Sequence, residues 1–95
     1  MAHPFLSIVI PVYNEEKTIE KLLERVYHVK LPKYFRKELV IVNDGSTDRT
    51  KKILKNLLKK REQFKGVAVI IFHHDKNQGK GAAIKTALSL ASGDY

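Results

Sequence analysis

Three short polar segments hold most of the side chains that could bind a ligand: PVYNE at 11–15, NDGSTD at 43–48 and HHDKNQGKG at 73–81. A carboxylate such as Asp44 can accept hydrogen bonds from a ribose or from the ring N–H groups of a base. Lys80 stands between two glycines before a predicted helix, where a cation and backbone N–H groups can bind phosphate. These residue types indicate nucleotide chemistry, although each segment also has a plain structural interpretation.

The alternative interpretation of NDGSTD is a turn in which Asp44 or Ser46 bonds neighbouring backbone N–H groups. The segment NQGKG at 77–81 matches neither common phosphate fingerprint. A P-loop requires Gly at position 74, which is His, and Ser or Thr at position 81, which is Gly. A dinucleotide fingerprint requires Gly at position 84, which is Ile. Taken alone, this segment is most simply the start of a helix.

Metal binding is not predicted from the histidines. His73 and His74 are adjacent at the end of a predicted strand, so their side chains point to opposite faces and cannot easily share one ion. The chain has no cysteine, which excludes disulfides, thiolate nucleophiles and cysteine-based zinc sites. That composition suits a reducing compartment.

The overall composition is that of one globular domain. The chain has 95 residues, of which 43% are hydrophobic, enough for a real core. Its longest apolar run, 67–72, is far shorter than the ~20 residues that a membrane-spanning helix needs. The apolar segment at 5–12 lacks a basic region and a cleavage site, so no signal peptide is predicted. We expect a protein in the cytoplasm or at the cytosolic face of a membrane.

Three apolar runs, at 6–12, 39–42 and 67–72, predict strands buried on both faces. Helical patterns lie between and after them. The order β-α-β-α-β-α with right-handed crossovers predicts a three-layer parallel α/β sheet. Because ligands bind outside the carboxyl ends of the strands in such sheets, we expect the three polar segments to meet at one rim.

The first helical pattern has the apolar positions Ile19, Leu22, Leu23 and Val26. We expect Asn14 to cap this helix, with Glu15 and Glu16 in its first turn, where the helix dipole favours negative charge. Leu31-Pro32 is expected to close it.

The second helix should cover roughly 48–62, with GSTD supplying its turn and cap. Its apolar stripe is Ile53, Leu54, Leu57 and Leu58. The third helix should start near Gly81 and end at Gly93. We expect it to carry inward the side chains of Ala83, Ile84, Ala87, Leu88 and Ala91.

The formal net charge is +8, and much of it lies at 49–61. The lysines of the second helix fall mostly on its outer face: Lys51, Lys52, Lys55, Lys59 and Lys60. Such a stripe is most often a solvated face, and contact with anionic lipid or nucleic acid is the alternative. No aromatic residues interleave with the lysines and no nucleic-acid motif is present, so we predict no nucleic-acid partner.

Three ordered segments carry a resemblance: SIVIPVYNEEKTIEKLL at 7–23, ELVIVNDGSTDRT at 38–50 and KNQGKGAAIKTALSLASGDY at 76–95. Together they resemble the N-terminal nucleotide-binding half of inverting GT-A glycosyltransferases of family 2. The branch most similar to them makes dolichyl-phosphate or polyprenyl-phosphate mannose and glucose. The resemblance implies a Rossmann-like α/β sheet, in which residues 1–95 are a single partial domain of a truncated GT-A fold.

The resemblance also implies a nucleotide site. The corner after the first strand would lie against the nucleoside, the acidic residue after the second strand would contact the base, and the third corner would lie near the ribose and phosphates. The residues that match these positions are Pro11, Tyr13, Glu15, Asp44, Gly79 and Lys80. Many members of the family have Asp where this chain has Asn43.

The activity that the resemblance implies is transfer of a hexose, with inversion, from a GDP- or UDP-sugar to an acceptor such as polyprenyl phosphate. A divalent cation, Mg²⁺ or Mn²⁺, is expected for that reaction. The family places its metal ligands and catalytic base after the position of Tyr95. We therefore expect the chain alone to bind nucleotide at most, with no catalytic or metal-binding residue of its own.

In that family the first strand lies between the second and a fourth. We therefore expect Ile8 to Pro11 to form an exposed edge, through which the chain forms a dimer or aggregates. A peripheral membrane contact is a further expectation. Two alternative functions stay open: a stand-alone nucleotide-binding module without catalysis, and a basic interaction domain for nucleic acid or anionic membranes.

Overall fold

Residues 5–30, 35–60 and 66–93 are described by a computed structural model of the chain. The elements are β1 (Phe5–Val12), α1 (Ile19–His28), β2 (Arg36–Asn43), α2 (Thr50–Lys59), β3 (Ala68–His73) and α3 (Lys80–Leu90). The strands form one parallel sheet in the order β1-β2-β3. The predicted order of elements and the α/β class are confirmed.

Strand β2 lies in the middle of the sheet. Its residues pair in register with both neighbours, so that Ile41 stands opposite Ile10 of β1 and Ile71 of β3. The side chains of 39–42 are at most 1% exposed. Burial on both faces explains why this strand is a continuous apolar run instead of an alternating one.

The helices cover the two faces of the sheet. On one face α1 and α2 pack over a core of Ile10, Val12, Ile19, Leu23, Ile41 and Leu54. On the other face α3 packs over Val40 and Val42 through two fully buried alanines, Ala83 and Ala87. The predicted three-layer arrangement is therefore confirmed.

Helix α1 begins later than predicted, at Ile19, and Thr18 stands at its N-terminus. The prediction that Asn14 caps α1 is wrong. Its side-chain Oδ1 instead accepts hydrogen bonds from the backbone N–H groups of Thr47 and Asp48, at 2.8 and 3.3 Å. The expected first-turn position of the two glutamates at 15 and 16 is wrong as well, because both precede the helix.

The apolar face of α1 is narrower than predicted, because Leu22 is 41% exposed. The expected closure at Leu31-Pro32 lies outside the described residues. Helix α1 itself ends at His28.

The stripe predicted for α2 is confirmed, with Leu54 fully buried and the other three members half-buried. Asp48 serves the N-terminus of this helix, since its Oδ1 accepts a hydrogen bond from the N–H of Thr50 at 2.9 Å. The predicted end near 62 falls outside the described residues.

Helix α3 differs from its prediction in two respects. Leu88 is 61% exposed, because it lies about 100° round the helix from the buried Ala87. The helix ends at Leu90 instead of Gly93, and Ala91 is already extended. The N–H of Ser92 then donates to the carboxylate of Glu38 at 3.0 Å, which directs the chain away from the helix.

Glu38 connects three segments at the end of the sheet where β2 starts. It is 3% exposed, and it accepts hydrogen bonds from the Ser7 hydroxyl at 2.7 Å and from the N–H and hydroxyl of Ser92 at 3.0 and 2.9 Å. Burial alone would raise the pKa of Glu38, but these hydrogen bonds hold it below its ordinary value. The buried group is therefore an ionised carboxylate.

Replacing Glu38 with glutamine should lower the free energy of unfolding by about 1–2 kcal/mol at pH 7, since charge-assisted hydrogen bonds become neutral ones. Because the pKa of Glu38 is lower in the folded state, its contribution is complete above the ordinary value of about 4.3 and is lost as the pH falls through the folded value. Urea denaturation at pH 7 and at a pH below the folded pKa measures the free energy of unfolding of both proteins. The wild type and the Glu38 variant should differ at pH 7 only. The exposed Glu24→Gln is the matched control, and equal stabilities of the Glu38 variant and the wild type at pH 7 would contradict this role.

Within the described residues β1 pairs with one strand only, β2, and no described strand lies along its other edge. The chain after α3 runs along this edge: the N–H of Gly93 donates to the Ser7 hydroxyl at 2.8 Å, and a Cβ at Gly93 would lie 2.8 Å from the backbone nitrogen of Ser7. Alternate residues of a strand direct their amides to the same side, so Pro11, which has no N–H, faces the same edge. Pairing with another strand through Ile8 to Pro11 stays a prediction. No helix in 5–30, 35–60 or 66–93 is long and apolar enough to cross a membrane.

Candidate functional site

The three loops that follow the strands start side by side, since Val12, Asn43 and His73 stand opposite one another in the sheet. An open cleft of about 470 Å³ lies at this rim, on the side of α3. It is lined by Pro11, Val12, Tyr13, Glu15, Asp44, Asn77, Gly79, Lys80 and Ala83. All six residues predicted to bind a nucleotide are therefore brought together in one cleft.

Asp44 forms the floor of this cleft and is only 2% exposed. Its Oδ1 accepts hydrogen bonds from His74 Nδ1 at 2.8 Å and from the N–H of Gln78 at 2.9 Å. Its Oδ2 accepts from the N–H of Gly79 at 2.8 Å and from Asn77 Nδ2 at 3.2 Å. Burial raises the pKa of Asp44, but the bonds from His74, Gln78 and Gly79 outweigh it, so this pKa lies below its ordinary value.

These partners differ from those expected if NDGSTD were only a local turn, in which Asp44 would bond neighbouring backbone N–H groups. The backbone N–H groups that Asp44 accepts belong to residues 34 and 35 positions later in the chain. A ligand group that bonds this carboxylate has to share an oxygen with one of four existing donors. Contact between Asp44 and a base stays a prediction, and the structure assigns Asp44 a role in holding the third loop.

Gly45 lets the second and third loops touch through their backbones. Its φ is 68°, in the left-handed region that favours glycine. A Cβ at this position would lie 2.3 Å from both the Asn77 nitrogen and the Lys76 carbonyl carbon. Glycine is thus required at position 45 by close packing as well as by backbone conformation.

The first and second loops are joined by hydrogen bonds that we call the loop clasp. Three successive N–H groups donate to side chains of the second loop and of the first residue of α2: Asn14 to Ser46 Oγ at 2.9 Å, Glu15 to Thr50 Oγ1 at 2.9 Å and Glu16 to Asp48 Oδ2 at 3.3 Å. In return the Asn14 side chain accepts from the second loop, as described above. Burial raises the pKa of Asp48, but hydrogen bonds from Thr50 and from the N–H of Glu16 hold it below its ordinary value. The clasp fixes the loop that carries Tyr13 and Glu15.

His74 is a structural part of the site that the sequence did not indicate. It lies between Asp44 and α3, with its Nε2 2.9 Å from Thr86 Oγ1. His73 bonds elsewhere, to Asn43 Nδ2 at 3.0 Å, so the two rings have separate partners. Although His74 and Asn77 both lie in the HHDKNQGKG segment, its pattern does not identify either one as a partner of Asp44, because Asp44 lies 30 and 33 residues away.

Several groups in the cleft are open to a ligand. Tyr13 is 44% exposed, and Glu15 and Lys80 are exposed too. One carboxylate oxygen of Glu15 accepts a hydrogen bond from the Thr18 hydroxyl at 2.7 Å. Lys80 is the first residue of α3, in a turn whose N–H groups lack partners within the helix. The cleft thus offers an aromatic ring, a carboxylate and a cation beside a helix N-terminus.

The described residues do not by themselves fit a divalent-metal site. Within them no group of three or more His, Cys, Asp or Glu side chains is arranged to hold an ion. Two carboxylates at the rim are engaged in the bonds given above, with Asp44 holding the third loop and Asp48 holding the first.

A smaller cavity of about 260 Å³ lies between α1, α2 and the sheet. Only aliphatic side chains line it, among them Leu23, Leu57 and Ile71. It offers no polar side chain to a ligand, so the rim cleft is the better candidate site.

Comparisons of the sequence and of the fold with known proteins point to the same protein family. A family model described as Glycosyl transferase family 2 matches residues 7–95. Dolichyl-phosphate beta-glucosyltransferase ALG5A of Trichomonas vaginalis is 36% identical over 98 residues, which cover 98% of this chain and 29% of that protein.

Two solved structures have similar folds. The mannosyltransferase PcManGT from Pyrobaculum calidifontis, in complex with GDP-Man and Mn²⁺, has a TM-score of 0.79 and 29% identity, over 97% of this chain and 26% of its own. S. aureus TarS in complex with UDP-GlcNAc has a TM-score of 0.73 and 32% identity, over 96% of this chain and 24% of its own. The chain thus spans less than a third of the length of these proteins.

Proposed function

Because the chain belongs to glycosyltransferase family 2, we propose that its rim cleft binds the nucleotide part of a nucleotide sugar. The observation that carries this proposal is the convergence of all three loops on one cleft, with Asp44 holding two of them together. The whole protein would move a hexose from a GDP- or UDP-sugar to polyprenyl phosphate with inversion. Similarity to a dolichyl-phosphate glucosyltransferase supports the acceptor, and the GDP-Man and UDP-GlcNAc complexes leave both bases open.

Within the cleft the exposed groups suit different parts of such a ligand. Pro11 and the ring of Tyr13 offer apolar surface to the nucleoside, and the Glu15 carboxylate can accept hydrogen bonds from it. The Lys80 ammonium suits the diphosphate. Gly79 has no side chain and a φ of 100°, which lets a ligand approach the backbone where α3 starts.

The transfer itself needs more than these residues supply. In the proposed reaction an acceptor phosphate oxygen attacks the anomeric carbon, and the nucleoside diphosphate leaves with the electron pair of the broken C–O bond. Lys80 lines the cleft and can offset part of the charge on that leaving group. Since the described residues offer no carboxylate set for a metal, we assign nucleotide binding to them and not catalysis.

Titration of the chain with GDP and with UDP, followed by amide NMR, tests the proposal. We expect one of the two to shift the amide signals of Tyr13, Gly79 and Lys80. Lys80→Gln should weaken binding about tenfold, because a charge-assisted contact to phosphate is lost.

The matched control is Lys85→Gln, which removes an exposed lysine of α3 outside the cleft and should leave the affinity unchanged. Shifts that avoid all three loops, or equal losses in the two variants, would refute the assignment of the cleft.

A further inference from the structure

Helix α2 carries a dense row of exposed lysines. Lys51, Lys55 and Lys59 are spaced four residues apart, and Lys52 stands beside them. At 1.5 Å per residue the row is about 12 Å long. These four residues form the lysine face of α2, which points away from its buried Leu54.

Among the residues that the structure describes, no ion pair is found between the lysine face and an acidic side chain. Helix α2 contains no acidic residue, and the ion pair found among the described residues joins His74 and Asp44 at the rim. Lys60 differs, because it lines the groove between α1 and α2 together with Glu20 and Glu24. Within α2, the lysines that do not share this groove with acidic residues are therefore those of the lysine face.

The stability of the helix does not account for this pattern. Lys51 and Lys52 lie in the first turn, where the helix dipole disfavours cations. Lysines four residues apart also repel one another. Helix α1 shows the opposite and favourable arrangement, with Glu20 in its first turn and Arg25 in its last. Binding of an external anion would explain why α2 has lysines in its first turn and lysines spaced four residues apart.

The field of these lysines extends into the fold. Burial lowers the pKa of His73, and the charges of Lys51 and Lys55 lower it further. Lys51 and Lys55 therefore lie near the end of β3.

We propose that the lysine face docks the protein on an anionic lipid bilayer. The row is one-dimensional and carries no aromatic side chain on which a base could stack, which favours lipid head groups over a single-stranded nucleic acid. The proposal rests on the proposed function, in which the acceptor is a lipid-linked phosphate held in a membrane.

The position of α2 allows lipid and nucleotide to bind at the same time. Helix α2 covers one face of the sheet, whereas the cleft opens on the side of α3, where Lys80 and Ala83 line it. Contact of the lysine face with a bilayer therefore leaves the cleft open to a nucleotide from the aqueous phase.

Co-sedimentation with phosphatidylcholine vesicles, with and without phosphatidylserine, tests this docking surface. We expect binding to the anionic vesicles only, and less of it at high salt. The triple variant Lys51→Gln, Lys55→Gln, Lys59→Gln should reduce partitioning about a hundredfold, since each lysine near an anionic surface contributes roughly a factor of five. Glutamine relieves the repulsion along the row and favours helix, so the variant should fold.

The control triple Lys30→Gln, Lys76→Gln, Lys85→Gln removes the same charge from exposed positions elsewhere and should retain most of the binding. The proposal is overturned if the wild type ignores anionic vesicles, if both triples lose binding equally, or if the lysine face binds a single-stranded oligonucleotide more tightly than vesicles. Titration of the first triple with GDP and UDP keeps the two proposals separate. If the first triple variant loses vesicle binding but keeps its nucleotide affinity, the docking surface is supported. If the wild type binds vesicles but no nucleotide, only the assignment of the cleft is refuted.

Discussion

Replacing Gly45 with alanine should lower the free energy of unfolding by about 3–5 kcal/mol, a loss large for a single methyl group. The added Cβ would stand 2.3 Å from two backbone atoms of the third loop, in Lys76 and Asn77. That loop cannot withdraw freely, because Asp44 holds the N–H groups of Gln78 and Gly79 immediately after it. Urea denaturation of the wild type and the variant measures the loss.

Gly66→Ala is the matched control for the Gly45 variant. Gly66 also has a positive φ, of 81°, but a Cβ there would meet nothing within 4 Å. Its substitution should therefore cost only the left-handed strain, about 1–2 kcal/mol. The difference between the two variants isolates the contact with the third loop, and equal losses would mean that this contact is unimportant.

Replacing Asp44 with asparagine should abolish detectable GDP or UDP binding and lower the free energy of unfolding by about 3 kcal/mol at pH 7. Four donors converge on its two oxygens, and two of them are backbone N–H groups that cannot reverse their polarity. An amide at this position would place its own N–H groups against donors. The third loop, with Gly79 and Lys80, would then lose its position.

The same experiment has a defined pH dependence. The pKa of Asp44 is lower in the folded than in the unfolded state, so its stabilisation is complete above the ordinary value of about 3.9. It is lost as the pH falls through the folded value. The difference between the wild type and Asp44→Asn should therefore shrink in acid.

Asp75→Asn, which changes an exposed carboxylate on the same loop, is the control for the Asp44 variant and should leave both stability and binding unchanged. An Asp44→Asn protein as stable as the wild type at neutral pH would show that the four hydrogen bonds contribute little.

Strand β2 was predictable because burial on both faces requires apolar side chains at every position, as at 39–42. The prediction of burial on both faces is wrong for the edge strand β3, where Phe72 is 44% exposed. The start of α1 was not predictable, although Asn14 belongs to a residue type that often caps helices. Its side chain caps backbone groups at 47 and 48, and a rule based on neighbouring residues cannot detect partners so distant. Leu88 was misplaced for a related reason, since the sequence did not indicate that α3 packs along a narrow line of alanines.

The convergence of the cleft residues followed from strand order alone, because parallel strands bring their carboxyl ends to one rim. The hydrogen bonds that hold the cleft together could not be predicted in this way. The partners of Asp44 lie in the loop after β3, and only the fold brings His74 and Asn77 close enough to bond it. The exposed groups at Tyr13 and Lys80 were anticipated by motif, whereas the groups that hold the loops in place were found only in three dimensions.

The loop clasp joins residues 32 to 35 positions apart, such as Asn14 with Ser46 and Glu15 with Thr50. Closing so long a segment costs chain entropy, which is offset only after β1 and β2 have paired. The cleft is therefore expected to order late in folding and to open early in unfolding. A nucleotide that binds only the closed arrangement would draw the folding equilibrium of the whole sheet toward the native state by mass action.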